Sequence, residues 1–295
     1  MEKYALELNE VTKQYKDFKL DKISFTVPQG SIVGLIGENG AGKSTTINLI
    51  TGVVKKDAGS IKMLNNSTDS NDIENKTKEE LGVVFDGSNF PVSLSAKQLN
   101  NVLKNIYSSW EEHKFFSLLK KLSLPENKKI KAYSKGMKMK LSIAVAFSHE
   151  TKLLILDEAT SGLDPIMRDE ILDMFLEFIQ DEEHSILVSS HITSDLEKVA
   201  DYIVFIHNGK VLFSKPKDEL IEQYGIIKYN AKQFDELNKK DIIRYRKQDY
   251  ELQVLVANRQ KAEKDYPHAL VVPASIDDIM LLYVKGEHWL WKGYY

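Results

Sequence analysis

Residues 37–45 read Gly37-Glu38-Asn39-Gly40-Ala41-Gly42-Lys43-Ser44-Thr45, between the apolar run 31–36 and the helical pattern 46–50. Three glycines let backbone N–H groups turn inward around a polyphosphate. Lys43 adds a positive charge there, and Ser44 offers a hydroxyl to Mg²⁺. A simple strand-to-helix turn needs only one or two glycines. The spacing therefore predicts a phosphate-binding loop that holds a nucleoside triphosphate.

The composition limits the classes of protein and partner. The chain has 295 residues, which suits one large domain or two unequal ones, and the pattern along the chain favours two. It carries 40 Lys and Arg against 43 Asp and Glu, a net charge of −3. This balance gives no sign of a polyanion partner, so nucleic acid is not expected. Cysteine is absent, which excludes disulfides and thiolate metal sites and favours an intracellular location.

Neither a signal peptide nor a membrane span is predicted. Residues 1–8 alternate apolar and polar side chains like a strand and lack the apolar core of a signal peptide. No window approaches the roughly 18 to 20 consecutive apolar residues that cross a bilayer. We therefore expect any role at a membrane to depend on a partner.

Strand-like and helical segments alternate in the central part of the chain. Strands are predicted at 153–156, 185–188 and 203–206, with helices over 165–180 and from 193. This alternation predicts an α/β fold with a parallel sheet.

Two further regions differ from this pattern. Between about 93 and 148 the apolar spacing is helical, which predicts a mainly helical insert. After residue 215 short strands and helices interleave, including a predicted helix at 231–237, and they indicate a small α+β appendix. The predicted domains are therefore 1–215 and 216–295.

Two acids end a buried strand. Asp157 and Glu158 follow the apolar run 153–156, at the strand end where ligands bind in α/β sheets. Asp157 is predicted to hold Mg²⁺ and its waters, and Glu158 to polarise an attacking water. His191 follows the next strand, and from that strand end we expect it to reach the γ-phosphate. Together with Lys43 these side chains predict a hydrolytic site.

The order of these motifs resembles that of the ABC-type ATPases, the nucleotide-binding subunits of ATP-binding cassette transporters, over roughly residues 4–220. The resemblance implies a P-loop NTPase core with an antiparallel β subdomain and a helical subdomain at about 93–148. It places Tyr15 against the adenine, identifies 161–164 as a loop that contacts a second subunit, and makes His191 a switch residue. The ATP-binding set that it implies is Tyr15, Gly37, Glu38, Asn39, Gly40, Ala41, Gly42, Lys43, Ser44, Thr45, Ser134, Lys135, Gly136 and Asp164.

The sequence departs from the family pattern at residue 135. Residues 133–137 read Tyr-Ser-Lys-Gly-Met, where the family usually has Leu-Ser-Gly-Gly-Gln. In the family this segment binds the γ-phosphate of ATP held by the opposing subunit, and Ser134 and Gly136 are retained. Lys135 adds positive charge near that phosphate, or it belongs to a solvated helix face with Lys138 and Lys140.

A second departure is Asp86, where the family usually has a glutamine that touches Mg²⁺ and relays motion to the membrane subunit. Asp86 can ligate Mg²⁺ because a carboxylate is a harder oxygen donor than an amide. It is one methylene shorter and adds negative charge beside Asp157 and Glu158, so we expect contact in a closed state or through water. The predicted metal ligands are Ser44, Asp157 and Asp86.

The resemblance implies an ATP-hydrolysing subunit that dimerises head to tail around ATP and Mg²⁺. This subunit drives a separate transmembrane permease subunit from the cytoplasmic face of the membrane, either as a homodimer or with a related second cassette. The appendix after residue 216 is similar to the extension in the drug- and peptide-exporter branch. That likeness favours export of peptides, antimicrobial compounds or lipids.

Two other functions stay open at this point. A non-transport ABC ATPase could regulate a membrane or soluble partner, although the intact Glu158 and His191 argue against a non-catalytic cassette. A GTPase is suggested by 238–241, which read Asn-Lys-Lys-Asp like a guanine-binding tetrapeptide. The Asp-x-x-Gly motif that should precede it is missing, so we interpret this match as coincidence.

Overall fold

The computed structural model describes residues 3–64, 66–67, 75–86, 90–229, 237–247 and 251–287. The chain divides into two compact units, Met1–Ser214 and Lys215–Tyr295. Most of the helix predicted at 231–237 lies outside the described residues, as does the aromatic run 289–295, for which we expect ordinary packing.

In chain order, the strands are β1 (Tyr4–Gln14), β2 (Lys19–Pro28), β3 (Ile32–Ile36), β4 (Ala58–Met63), β5 (Asn66–Ser67), β6 (Leu81–Val84), β7 (Leu153–Asp157), β8 (Ser185–Ser190), β9 (Tyr202–His207), β10 (Lys210–Pro216), β11 (Gly225–Tyr229), β12 (Ile242–Lys247), β13 (Leu252–Val256) and β14 (Leu270–Pro273). The α-helices are α1 (Lys43–Ile50), α2 (Asn75–Glu79), α3 (Ala96–Leu103), α4 (Glu112–Lys121), α5 (Lys135–Ala146), α6 (Pro165–Phe178), α7 (Thr193–Val199), α8 (Arg259–Asp265) and α9 (Ile276–Lys285). Single 3₁₀ turns lie at Ile130–Ala132 and Lys239–Asp241, and a π-helical turn at Glu219–Gln223.

The central sheet of the first unit has the order β10-β9-β3-β8-β7-β6, and β9, β3, β8, β7 and β6 run parallel. Strands β3, β7 and β8 are buried along their whole length, as expected for a sheet covered on both faces. The register pairs Ile36 with Ser190 and Asp157 with Ser189. The α/β prediction is confirmed. The carboxyl ends of β3, β8 and β7 lie at the same level of the sheet.

A second, antiparallel sheet of order β2-β1-β4-β5 covers the first helix. Its apolar face, including Leu6, Leu20 and Ile61, shares one buried cluster with Ile47 of α1 and Leu35 of β3. The antiparallel β subdomain that the family resemblance implied is therefore present. Its packing fixes the start of α1, and with it the loop that precedes this helix.

The helical segment between β6 and β7 contains α3, α4 and α5. A capping box formed by Ser95 and Gln98 starts α3. The side chains of Phe115, Leu119 and Ile130 are fully buried and form much of its core. Within the described part of the chain, no helix is both long enough and apolar enough to cross a membrane.

The second unit is built around an antiparallel sheet of order β12-β13-β11-β14. One buried cluster joins Ile227 and Tyr229 of β11 to Val254 of β13 and Ala262 of α8. Helix α9 starts with a capping box at Ser275 and Asp278 and buries Ile279. The unit thus has an apolar core of its own.

His149 is a buried titratable group just before β7. The residue is 3% exposed, its ring stacks on Tyr107 at 4.1 Å between centroids, and its Nδ1 lies 2.8 Å from the carbonyl oxygen of Glu79. Desolvation lowers the pKa of His149 below its ordinary 6.5, although the hydrogen bond to Glu79 acts in the opposite direction. The folded chain therefore favours the neutral ring.

The burial of His149 predicts that the folded protein loses stability at acid pH. The unfolded chain takes up a proton on this imidazole at about pH 6.5 while the folded chain resists it, so stability is full above that pH and falls as the pH drops below it. Between about pH 7 and about pH 5, we expect the free energy of urea unfolding to fall less in His149→Gln than in the unmodified protein. His113→Gln, at an exposed position on α4, is the control. An equal slope in all three proteins would contradict the prediction.

Candidate functional site

The loop between β3 and α1 follows a path that only glycine permits at two positions. A Cβ on Gly37 would lie 2.3 Å from the carbonyl oxygen of Ile206. Gly42 has a φ of +117°, and a Cβ there would lie 2.8 Å from Leu20 Cδ1. Gly42 is also the N-cap of α1, and within the described residues no side chain caps that helix. The backbone amides of its first turn can therefore donate to an anion.

Lys43 is held inside this loop. The residue is 6% exposed, and its Nζ donates to the carbonyl oxygens of Gly37 at 2.8 Å and Glu38 at 3.3 Å. The same Nζ lies 3.5 Å from Glu158 Oε1. A buried ammonium needs such partners because its desolvation is otherwise costly. The lysine is thus positioned between the loop and the acid at the end of β7.

The side-chain hydroxyl of Ser189 bonds to both acids at the end of β7. Ser189 Oγ donates to Asp157 Oδ1 at 2.6 Å and accepts from the backbone N–H of Glu158 at 3.1 Å. The sequence prediction missed Ser189. Its signal was available, because a serine two residues before His191 on the neighbouring strand reaches the level of Asp157 when the strands pair in parallel.

Glu158 itself has an unusual backbone, with a φ of +53°. A non-glycine residue in this region costs on the order of 1 to 3 kcal/mol and persists where the surroundings enforce it. His191 Nδ1–H donates to Glu158 Oε2 at 2.5 Å. The carboxylate is 15% exposed, whereas the imidazole is 47% exposed. The pair therefore presents an oriented carboxylate with a partner that solvent can still reach.

Lys43, Glu158 and His191 line a cleft of about 590 Å³. The predicted site residues that line it are Glu38, Asn39, Gly40, Gly42, Lys43, Ser44, Thr45, Asp86, Glu158 and His191. Phe18 and Ser161 complete the lining. A glycine-walled loop, a lysine and a cleft of this size fit a nucleoside triphosphate.

Seven described residues predicted to bind ATP lie outside this lining: Tyr15, Gly37, Ala41, Ser134, Lys135, Gly136 and Asp164. Tyr15 is 40% exposed, and its ring centroid is 6.5 Å from that of Phe18, which does line the cleft. Sequence reasoning missed Phe18, although an aromatic residue three positions after Tyr15 was a visible signal. Tyr15 at the adenine remains a prediction.

Ser134 and Asp164 begin helices. Ser134 Oγ accepts from the N–H of Met137 at 3.2 Å, and Asp164 Oδ1 accepts from the N–H of Met167 at 3.0 Å. Gly136 packs so closely on α6 that a Cβ would lie 2.1 Å from Met167 Sδ. The predicted contacts of these residues belong to ATP on a second subunit, so they too remain predictions.

The two departures from the family pattern lie in contact. Lys135 Nζ is 3.1 Å from Asp86 Oδ1, and the two side chains are 48% and 53% exposed. This ion pair was not predicted, because the residues are far apart in the sequence and were assigned separate roles toward phosphate and Mg²⁺.

The predicted Mg²⁺ ligands are one hydroxyl and two carboxylates. The described residues contain no group of three or more His, Cys, Asp or Glu side chains that could hold a metal ion. A small set of protein oxygens suits Mg²⁺, which commonly keeps waters and takes further oxygens from substrate phosphates. Ser44 in the first turn of α1 and Asp157 at the end of β7 fit that pattern.

Comparison with known proteins agrees with this geometry. The family model of ABC transporters matches residues 20–161. The chain is 35% identical over 216 residues to the lantibiotic transport ATP-binding protein SrtF of Streptococcus pyogenes, an alignment that covers 72% of this chain and 91% of SrtF. The chain belongs to the ABC transporter ATP-binding proteins. This ABC ATPase is also 34% identical over 220 residues to the bacitracin transport ATP-binding protein BcrA of Bacillus licheniformis, covering 73% of this chain and 71% of BcrA.

Solved structures support the same assignment. An ATP-binding subunit of an ABC transporter matches with a TM-score of 0.66 and 28% identity, over 73% of this chain and 91% of that one. A dimeric ATP-binding cassette bound to ADP and phosphate shares the fold, with a TM-score of 0.64 and 22% identity over 72% of this chain and 98% of that one. The protein is therefore an ABC-type ATPase that binds ATP.

The guanine-binding alternative has no support in this structure. Asn238 Oδ1 accepts from the N–H of Lys240 at 3.2 Å, and Asp241 Oδ1 lies 2.7 Å from Lys261 Nζ. Both side chains stabilise a turn within the second unit. The phosphate-binding loop belongs to the first unit.

Ser189 provides a test of how the two acids are positioned. Ser189→Ala removes the hydroxyl that orients Asp157 and Glu158, and we expect kcat for ATP hydrolysis to fall by about 10- to 100-fold while KM changes little. Ser190→Ala is a matched control, because Ser190 Oγ instead accepts from the N–H of Ile192 at 2.9 Å. Steady-state phosphate release measures both variants. If kcat falls by the same small factor in Ser189→Ala and Ser190→Ala, Ser189 has no positioning role.

Proposed function

We propose that this ABC ATPase hydrolyses Mg²⁺-ATP at two composite sites of a head-to-tail dimer and thereby drives a separate membrane subunit that exports an antimicrobial peptide. The observation that carries the hydrolytic part is the convergence of Lys43, Glu158 and His191 on one cleft. Asp157 and Ser189 support it from the neighbouring strand ends.

Each side chain of the cleft has one role in hydrolysis. Lys43, now bonded to loop carbonyls, binds the β- and γ-phosphates of ATP. Ser44 and Asp157 would hold Mg²⁺, which would neutralise phosphate charge. Glu158 orients the water that attacks the γ-phosphorus and accepts its proton as the bond to the ADP oxygen breaks. His191 keeps the carboxylate of Glu158 aimed at that water.

The second half of each composite site comes from another subunit. Ser134, Lys135 and Gly136 at the start of α5 are assigned to the γ-phosphate of ATP bound by the opposing chain, and Asp164 to the loop that contacts that chain. Ser134 Oγ caps the N–H of Met137, and the other first-turn amides of α5, which have no partner within the helix, suit an anion. Because one chain carries both halves, a homodimer is competent, and a related cassette can take the place of the second copy.

We assign the binding site for the membrane subunit to a cleft of about 1190 Å³ between the helical segment and the core. Its floor is a stack of three rings, with centroids 4.9 Å apart for Phe147 and Phe178 and 4.3 Å apart for Phe178 and His184. Six acidic residues and two lysines surround this floor. An apolar floor with an acidic rim suits a cytoplasmic segment that has both apolar and basic side chains.

The printed roles of the relatives support our proposal for the cargo and the cellular location. SrtF is named for lantibiotic transport and BcrA for bacitracin transport. We extend this role to the present chain and assign it to antimicrobial peptides. A chain that works through a membrane subunit and ATP lies at the cytoplasmic face of the membrane, bound peripherally.

Glu158→Gln tests the hydrolytic mechanism. We expect the variant to bind ATP but to lose at least about 100-fold in turnover, because the amide cannot accept the proton of water. The ATP-bound dimer should then accumulate and elute earlier than the monomer on a sizing column. Glu222→Gln, at an exposed position in the second unit, is the control. A Glu158→Gln protein that stays monomeric with Mg²⁺-ATP would overturn the dimer mechanism.

Capture from native membranes tests the transporter assignment. Tagged Glu158→Gln protein with Mg²⁺-ATP should retain a stoichiometric multi-span membrane protein, and Leu118→Glu in the same background should weaken that capture by placing a charge in the cleft. Phe116→Glu is the matched control, because Phe116 lines a different cleft on the other side of α4. Retention of only a soluble partner would favour the non-transport ATPase.

A further inference from the structure

The two positions at which this chain departs from the family pattern carry opposite charges and lie together. Lys135 Nζ and Asp86 Oδ1 are 3.1 Å apart. Asp86 lies two residues after the end of β6, and Lys135 is the first residue of α5. The contact therefore ties the core sheet to the helical segment.

Lys135 and Asp86 each introduce a charge that is unfavourable at its position without a partner of opposite charge. Lys135 places a cation in the first turn of a helix, where the macrodipole disfavours positive charge. Asp86 adds a carboxylate to a cleft that already contains Glu158. The pair offsets both effects, whereas a glycine and a glutamine in these positions would need no partner.

Lys135 also lies against a third segment of the site. Gly162 has a φ of +71°, and a Cβ there would be 3.4 Å from Lys135 Nζ and 3.8 Å from its Cδ. The lysine side chain thus passes beside the loop 161–164 on its way to Asp86. Its ammonium pairs with Asp86 and lies beside this loop, and both Asp86 and Ser161 line the ATP cleft.

We propose that Asp86 and Lys135 form a latch that sets the resting position of the helical segment against the core and must open before the site can close around ATP. This inference rests on the proposed function, because it takes the γ-phosphate and Mg²⁺ as competitors for the two charges. One ammonium cannot bond fully to Asp86 and to a phosphate of another subunit at once. When Lys135 leaves, the carboxylate of Asp86 is free to turn toward the metal ion.

The exposure of the pair suits a contact that has to open. Ion pairs between side chains about half exposed are weak because water screens them and because both side chains lose freedom. Mg²⁺-ATP supplies much stronger charges, so it can replace both halves of the latch. In a double-mutant cycle on KM for Mg²⁺-ATP, we expect a coupling of about two- to fivefold between the two positions.

The absence of cysteine from the chain allows a direct measurement of the resting position. Val53 in the core and Ile106 in the helical segment are 65% and 61% exposed, so cysteines introduced there can carry spin labels. Without nucleotide, Asp86→Asn and Lys135→Gln should each broaden the distance distribution between the labels. The double variant should be no broader than either, and the exchanged pair D86K/K135D should restore the narrow distribution.

A second ion pair provides the control. Lys198 Nζ lies 2.9 Å from Asp169 Oδ1, with side chains 61% and 63% exposed, and joins α6 to α7 within the core. Lys198→Gln removes the same charge at similar exposure and should leave the distribution narrow. If Asp86→Asn and Lys135→Gln also leave it narrow, or if the exchanged pair fails to restore it, the latch is disproved.

Mg²⁺-ATP separates the latch from the proposed function. In the Glu158→Gln background, Mg²⁺-ATP should bring the native pair and both single variants to one common distance. A broadened resting state in the single variants with no response to Mg²⁺-ATP would support the latch and count against the composite ATP site. A response to Mg²⁺-ATP without any resting-state difference would retain the ATPase mechanism and overturn the latch.

Discussion

The parallel register of β3, β8 and β7 is the constraint on which the site depends. It pairs Ile36 with Ser190 and Asp157 with Ser189, so three chain segments leave the sheet at the same level. Successive side chains of a strand point to opposite faces, and a slip of one residue would turn Asp157 away from Ser189. The loop at 37–45, the acids and His191 can act together only in this register.

Charge balance is the second requirement of this site. Lys43 is buried, and a buried ammonium is stable only with partners, which the loop carbonyls and Glu158 provide. Asp157 is similarly buried and takes its hydrogen bond from Ser189. These partners are ones that phosphate and metal can replace, so the arrangement that stabilises the protein also prepares it for ATP.

This chain keeps the family's residues at some positions of the site and departs from them at two others. Lys43, Asp157, Glu158 and His191 are the residues to which we assign the chemistry of ATP hydrolysis. Asp86 and Lys135 are charged at positions where the family usually has a glutamine and a glycine. Their contact places the added negative charge beside the added positive charge. A departure that looks unfavourable when considered alone can therefore be understood from its neighbour in space.

The sequence by itself determined the phosphate-binding loop, the acids after β7, the histidine after β8 and the α/β class, because these features depend on local spacing and periodicity. The strands predicted at 153–156, 185–188 and 203–206 match the observed bounds to within two residues for the same reason. Strand order was not, since β3 pairs with β8 and β9 across more than a hundred residues. Only the tertiary structure revealed Ser189 as the support of both acids, Phe18 in the cleft and the contact between Asp86 and Lys135. Each of these depends on segments that are distant in the chain and meet only when the sheet has formed.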